Sequence, residues 1–211
     1  GGAEICVHNV CKNLTDSGHE AFVITSTPPP KNPPTLPYKM IYLSSKTGGL
    51  FRKIPCLGKL YLDWKIKTLQ RKHKFDLWQV TMGYPLGAYA VDSFRRLGIP
   101  CLLRCCGEDV QKFTEIGYGY RLDEAVDALV TTKYPQYDGL VALTPSVRDE
   151  YLAMGISCEK VRIIPNGVNN RVFKNKDHKK TQGIRKDYGV PDDAKIILTV
   201  GRYHPKKGFD L

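Results

Sequence analysis

Apolar positions along this chain switch between helical spacing and short unbroken runs. Ala3, Val7, Val10 and Leu14 fall on one helical face, and Asp16-Ser17-Gly18 stops that helix. Residues 21–25 and 40–43 are short apolar runs and predict strands. Between them, residues 28–37 hold six prolines, which predicts an extended surface loop, because proline fixes φ and offers no N–H. Residues 57–74 predict a basic amphipathic helix. Residues 76–82 predict a strand with Gly83-Tyr84-Pro85 as its turn, then a helix to Leu97 closed by Gly98. Further strands are predicted at residues 100–105, 139–143 and 161–164, and helices at 121–132 and 145–154, the last closed by Gly155.

Strands this short and apolar, alternating with helices, imply a parallel sheet covered on both faces. The handedness of such crossovers then gives a doubly wound, Rossmann-like α/β domain. Residues 171–194 begin with a polar, lysine-rich stretch and read as a linker. Residues 195–200 predict the first strand of a second domain, followed by Gly201-Arg202. The expected division is residues 1–170, 171–194 and 195–211, with the chain cut at both ends.

Composition narrows the function only in part. No run approaches the ~20 apolar residues of a membrane helix. The seven cysteines are scattered without metal-ligand spacing, and five histidines form no ligand pattern, so no metal is expected and a reducing, cytoplasmic compartment is. A formal net charge of +11 favours anionic partners: nucleic acid, phosphorylated small molecules or an anionic membrane. Against nucleic acid, no recognised binding motif is present, and Tyr118, Tyr120 and Tyr134 are not interleaved with Arg and Lys as stacking platforms would be. A membrane surface fits residues 57–74, where Leu57, Leu60, Tyr61, Trp64 and Leu69 lie among six basic residues. The simpler expectation is that this stripe packs on the sheet and the lysines are solvated. The two readings differ in where Leu60 and Trp64 point.

Four segments, in order, resemble glycosyltransferase family 4, retaining enzymes of the GT-B type with two facing Rossmann domains. They are Gly1-Gly2-Ala3-Glu4 with Gly18-His19-Glu20; Arg104-Cys105-Cys106-Gly107-Glu108-Asp109-Val110-Gln111; Ile164-Pro165-Asn166-Gly167-Val168 through Phe173; and Val200-Gly201-Arg202 through Lys206-Lys207-Gly208. The resemblance implies the acceptor-side domain plus the start of the donor domain. The whole enzyme would transfer a sugar from a nucleoside diphosphate sugar to a carbohydrate or lipid-linked acceptor. Its expected place is the cytoplasm, with peripheral attachment to the inner face of the cell membrane. Without the missing half, a sugar-nucleotide epimerase or sugar-phosphate synthase on the same fold stays an alternative, and a basic nucleic-acid-binding module stands as an alternative of another class.

The resemblance also implies site residues. Gly1 and Gly2 precede a helix, where backbone N–H groups can approach a diphosphate; the plainer alternative is a tight turn. Arg202 and Lys207 would meet the developing diphosphate charge without a cofactor. The family commonly has histidine before the glycine at 107, and this chain has Cys106, so that histidine's role does not carry over. Glu108 and Asp109 are the candidate acceptor ligands, and Asp109 is also the catalytic candidate; equally, Asp109 can brace its loop. Asn166-Gly167 reads as a turn. The family's donor-side carboxylates would lie beyond Leu211.

Overall fold

The computed structural model describes residues 2–44, 53–169 and 178–209. The chain divides into two compact units, Gly1–Asn166 and Gly167–Leu211. In the first, α1 (Gly2–Asp16) leads into β1 (Phe22–Thr25) and β2 (Lys39–Tyr42), which pair in parallel across the proline-rich crossover. Helix α2 (Pro55–His73) then precedes β3 (Trp78–Thr81), α3 (Ala88–Leu97), β4 (Cys101–Arg104), α4 (Glu124–Lys133), β5 (Gly139–Ala142), α5 (Pro145–Ala153) and β6 (Val161–Ile163). Strands β3 to β6 form a four-stranded parallel sheet in sequential order.

The parallel α/β class is therefore the expected one, but the strands divide between two sheets instead of forming one doubly wound sheet. At the amino ends of β1 and β3 the ring of Phe75 stands between them. Its centroid lies 4.9 Å from Phe22 and 5.1 Å from Trp78. The first residues of the two strands are thus bridged by an aromatic side chain, and no backbone ladder joins β1 to β3 among the described residues.

The core sits between the four-stranded sheet and the helices of its crossovers. Val91 and Phe94 of α3, Leu103 of β4, Val130 of α4, Leu140 of β5 and Tyr151 of α5 are all essentially buried. Truncating one of the large members, such as Phe94→Ala, costs ~3–5 kcal/mol in comparable cores. The helices are also tied to each other. Asp63 of α2 accepts from Ser93 of α3 at 2.7 Å and pairs with Arg96. Asp92 of α3 pairs with Lys59 and with Lys133 of α4, each at 2.7 Å. Asp123 caps α4 by accepting from the Ala125 and Val126 amides, so this helix starts three residues later than its apolar pattern suggests.

Helix α2 does not bury its expected stripe. Gly58, Leu62 and Ile66 make its packed face, whereas Leu57, Leu60 and Trp64 are 49%, 65% and 55% exposed. The ammonium of Lys65 lies 4.6 Å from the Trp64 ring. Apolar and cationic groups therefore share the outward surface.

In the second unit the expected linker contains a helix, α6 (His178–Asp187). Its sequence hides it because a charged helix has no apolar period to read. Arg185 ties α6 to the segment after it, donating to the Pro191 carbonyl at 2.7 Å and the Ala194 carbonyl at 2.9 Å. Residues 171–177 of that linker lie outside the described residues. The expected strand at 195–200 does not form as a strand. A strand is defined by a neighbour, and none pairs with it among the described residues. Ile197, Leu198 and Val200 are 95%, 81% and 86% exposed.

Candidate functional site

Ligands of parallel α/β sheets collect at the carboxyl ends of the strands. Here β3 runs into Met82 and Gly83, and β4 into Cys105, Cys106 and Gly107. The two exits are joined by one side chain. Asp109 is fully buried, and its carboxylate accepts three backbone N–H bonds: from Gly83 at 2.6 Å, Cys106 at 2.9 Å and Gly107 at 3.0 Å. A carboxylate held by several amides in a dry setting is a rigid junction. Gly107 turns the chain at φ +128°, a conformation side chains resist.

Tyrosine hydroxyls secure this junction from below. Tyr134 donates to the Asp109 carbonyl at 2.8 Å, and its hydroxyl end lies so close to Gly83 that a Cβ there would stand 2.3 Å from it. Tyr151 accepts from the Cys105 amide at 3.2 Å. Beyond Asp109, Arg121 holds the loop through the Val110 carbonyl at 2.9 Å while pairing with Asp127 at 2.6 Å and Glu150 at 2.9 Å. Its partners lie on α4 and α5, so the loop is anchored to two helices.

This placement makes Asp109 a positioning residue. Both its oxygens point inward at amides, so it offers none to an acceptor, and the bracing alternative is the one that the geometry supports. Glu108 differs. It is half-buried, only its main-chain carbonyl is bonded, from the Tyr120 amide at 2.9 Å, and its carboxylate has no partner among the described residues. Cys106 is half-buried beside it. Burial first, then the charge of Asp109, pushes its thiol up to about 11. It is therefore a neutral thiol near pH 7 and not a nucleophile.

The same strand end carries a group that the apolar pattern did not single out. Arg104, the last residue of β4, is 6% exposed. Its Nη2 donates to Asn166 Oδ1 at 2.6 Å, and that oxygen also accepts from the Cys6 thiol of α1 at 2.9 Å. Its Nε is buried with no hydrogen-bond partner. A cation ending an otherwise apolar strand was the signal available in the sequence. Asn166, expected as a turn residue, links β4 to α1.

The remaining expected residues stand elsewhere. Gly2 opens α1 and is exposed, with open space where a Cβ would project; Gly1 lies outside the described residues. Arg202 and Lys207 belong to the second unit, and both are exposed. Lys207 closes a turn, Pro205–Lys207, that His204 caps by accepting from the Lys206 amide at 3.1 Å.

Comparison with known proteins bears on this arrangement. The model of Glycosyltransferase Family 4 matches residues 1–171. An alpha-galactosylglucosyldiacylglycerol synthase of Streptococcus pneumoniae is 31% identical over 85 residues, 40% of this chain and 23% of that protein. A D-inositol 3-phosphate glycosyltransferase of Acidothermus cellulolyticus is 31% identical over 87 residues, 41% of this chain and 16% of that protein. Among solved structures, Anabaena HepE in complex with UDP and glucose superposes with a TM-score of 0.55 at 16% identity, covering 90% of this chain and 47% of that one. The lipopolysaccharide outer core galactosyltransferase WaaB, in its apo form, gives 0.52 at 15% identity, covering 80% and 43%. The chain thus spans less than half of each of these structures.

Proposed function

Because the chain belongs to glycosyltransferase family 4, we propose that it forms the acceptor-side domain, the linker and the first donor-side residues of a retaining enzyme. That enzyme moves a sugar from a nucleoside diphosphate sugar to a carbohydrate or lipid-linked acceptor. The observation that carries this reading is the junction at Asp109. It fixes the exits of β3 and β4 and leaves the Glu108 carboxylate unpartnered at the end where such sheets receive ligands. Glu108 accepts hydrogen bonds from acceptor hydroxyls. Cys106, neutral, lines the site without forming a covalent intermediate. On the donor side, Arg202 and Lys207 meet the charge that develops on the leaving diphosphate, so no metal is called for.

A uridine nucleotide sugar is the donor favoured by the solved HepE complexes with UDP and with UDP-glucose. Retention of configuration rests on family membership. The exposed run from Ile197 to Val200 supports the start of a donor domain. An apolar segment of this kind is buried once neighbouring strands flank it.

The outward face of α2 favours a second property, peripheral attachment to an anionic membrane. Leu57, Leu60 and Trp64 project among Lys65, Lys67, Arg71 and Lys72. One matched relative is named for a glycosylated diacylglycerol, which agrees with a lipid-linked acceptor.

The test is a panel of nucleoside diphosphate sugars offered to the intact enzyme and to the 211-residue chain. The intact enzyme is expected to transfer sugar from at least one donor, and the chain alone from none. Robust turnover by the chain alone, or none by the intact enzyme with any donor and acceptor, would overturn the proposal.

A further inference from the structure

A guanidinium that is nearly buried is costly to hold unless an anion compensates it. The buried cation Arg121 shows how this chain meets that cost, with two carboxylates and a carbonyl. Arg104 is as buried and has no carboxylate partner among the described residues. Among the described residues its guanidinium makes one hydrogen bond, to a neutral amide oxygen, and its Nε makes none. The residue ends β4, two positions before Cys106. A planar donor fork in that position matches the oxygens of a phosphate.

Asn166 shows where such an oxygen would go. Its Oδ1 receives donors from two elements at once, Arg104 Nη2 and Cys6 Sγ. Asn166 itself is exposed, so its side chain has solvent to turn into when another acceptor takes its place. Its amide oxygen occupies a point where an oxyanion would accept the same two bonds with full charge.

We propose that Arg104, gated by Asn166, is an anion-recognition point for a phosphate group at the carboxyl end of β4. This deepens the glycosyltransferase reading and rests on it for the ligand's role. The phosphate is one carried by the acceptor, or the diphosphate of the donor. Occupation displaces the Asn166 carbonyl, pairs the Nε and the Nη2 of Arg104 with two phosphate oxygens, and supplies the missing counter-charge.

The experiment measures binding of inorganic phosphate to the 211-residue chain by calorimetry, with chloride at matched ionic strength to discount the general positive charge. Arg104→Gln should weaken phosphate about 10- to 100-fold, the scale for a lost hydrogen-bonded charge partner. Arg104→Lys should weaken it less. Asn166→Ala, an exposed change, leaves the core intact and should hold or raise affinity by removing the competing oxygen. Circular dichroism checks that each variant is folded. Competition then separates the sources: displacement of phosphate by glycerol 3-phosphate and not by UDP assigns the acceptor, and displacement by UDP assigns the donor. Equal binding by wild type and folded Arg104→Gln, or no binding beyond the chloride control, would overturn the site. No step of this assay involves transfer, so an enzyme that binds phosphate through Arg104 but moves no sugar would sink the functional reading and spare the site.

Discussion

Removing the Asp109 carboxylate is the most direct perturbation of the junction. Asp109→Ala strands three N–H groups, those of Gly83, Cys106 and Gly107. Each buried donor left unpaired costs ~1–3 kcal/mol, and the half-buried Cys106 amide can recover water, so the total is roughly 4 kcal/mol. In a domain of this size ~1 kcal/mol moves the melting temperature by about 2–4 °C, which gives a loss of roughly 8–16 °C. Asp109→Asn keeps the shape and one acceptor oxygen, but turns an amide NH2 toward another donor, so roughly half the loss is expected. Glu108→Ala is the control. Its carboxylate has no partner among the described residues, and it should melt within about 2 °C of wild type. Differential scanning calorimetry on the 211-residue chain would rank the variants wild type, Asn, Ala. An Asp109→Ala protein that melts with wild type would refute the bracing role and return Asp109 to the acceptor ligands.

Four further outcomes concern the other residues of the proposal. In the intact enzyme, Arg202→Ala and Lys207→Ala should each lower transfer ~10²-fold or more with little effect on folding, and wild-type rates in both would remove them from the diphosphate site. Because the Cys106 thiol is pushed up to about 11, iodoacetamide at pH 7.5 should label it more slowly than the exposed Cys56 and Cys158, as read by peptide mass spectrometry. Cys106→Ala should cost only a few-fold in transfer; complete loss in a folded variant would make the thiol essential. The intact enzyme should sediment with anionic liposomes at low salt, more weakly at high salt, and not after Lys65, Lys67, Arg71 and Lys72 become Glu; absence of binding at low salt would end the membrane proposal.

What was legible in the sequence is what local chemistry decides. The strands at β1 to β6 announce themselves as apolar runs, and Gly98 and Gly155 close their helices in left-handed conformations. What was illegible depends on partners distant in the chain. Asp109 could be a ligand or a brace until the Gly83 amide, 26 residues away, was seen to point at it. Leu60 and Trp64 belong to an apolar stripe in sequence, yet the packed face of α2 is set by Gly58, Leu62 and Ile66, because only that face meets α3. Residues 195–200 have every local mark of a strand, but pairing is a property of two segments, and local marks supply one.

The junction at Asp109 has a consequence for how such a site diversifies. Every atom it grips on the β3 and β4 exits belongs to the main chain, which all residue types share. At 106 and 108 the side chains are therefore spectators to the architecture and can be exchanged without dismantling it. Gly83 is the exception, since the Tyr134 hydroxyl occupies the space any larger residue would need. The frame is thus fixed while its fittings are replaceable: a substitution at 106 or 108 changes what the strand exits present and leaves the loop path between them in place.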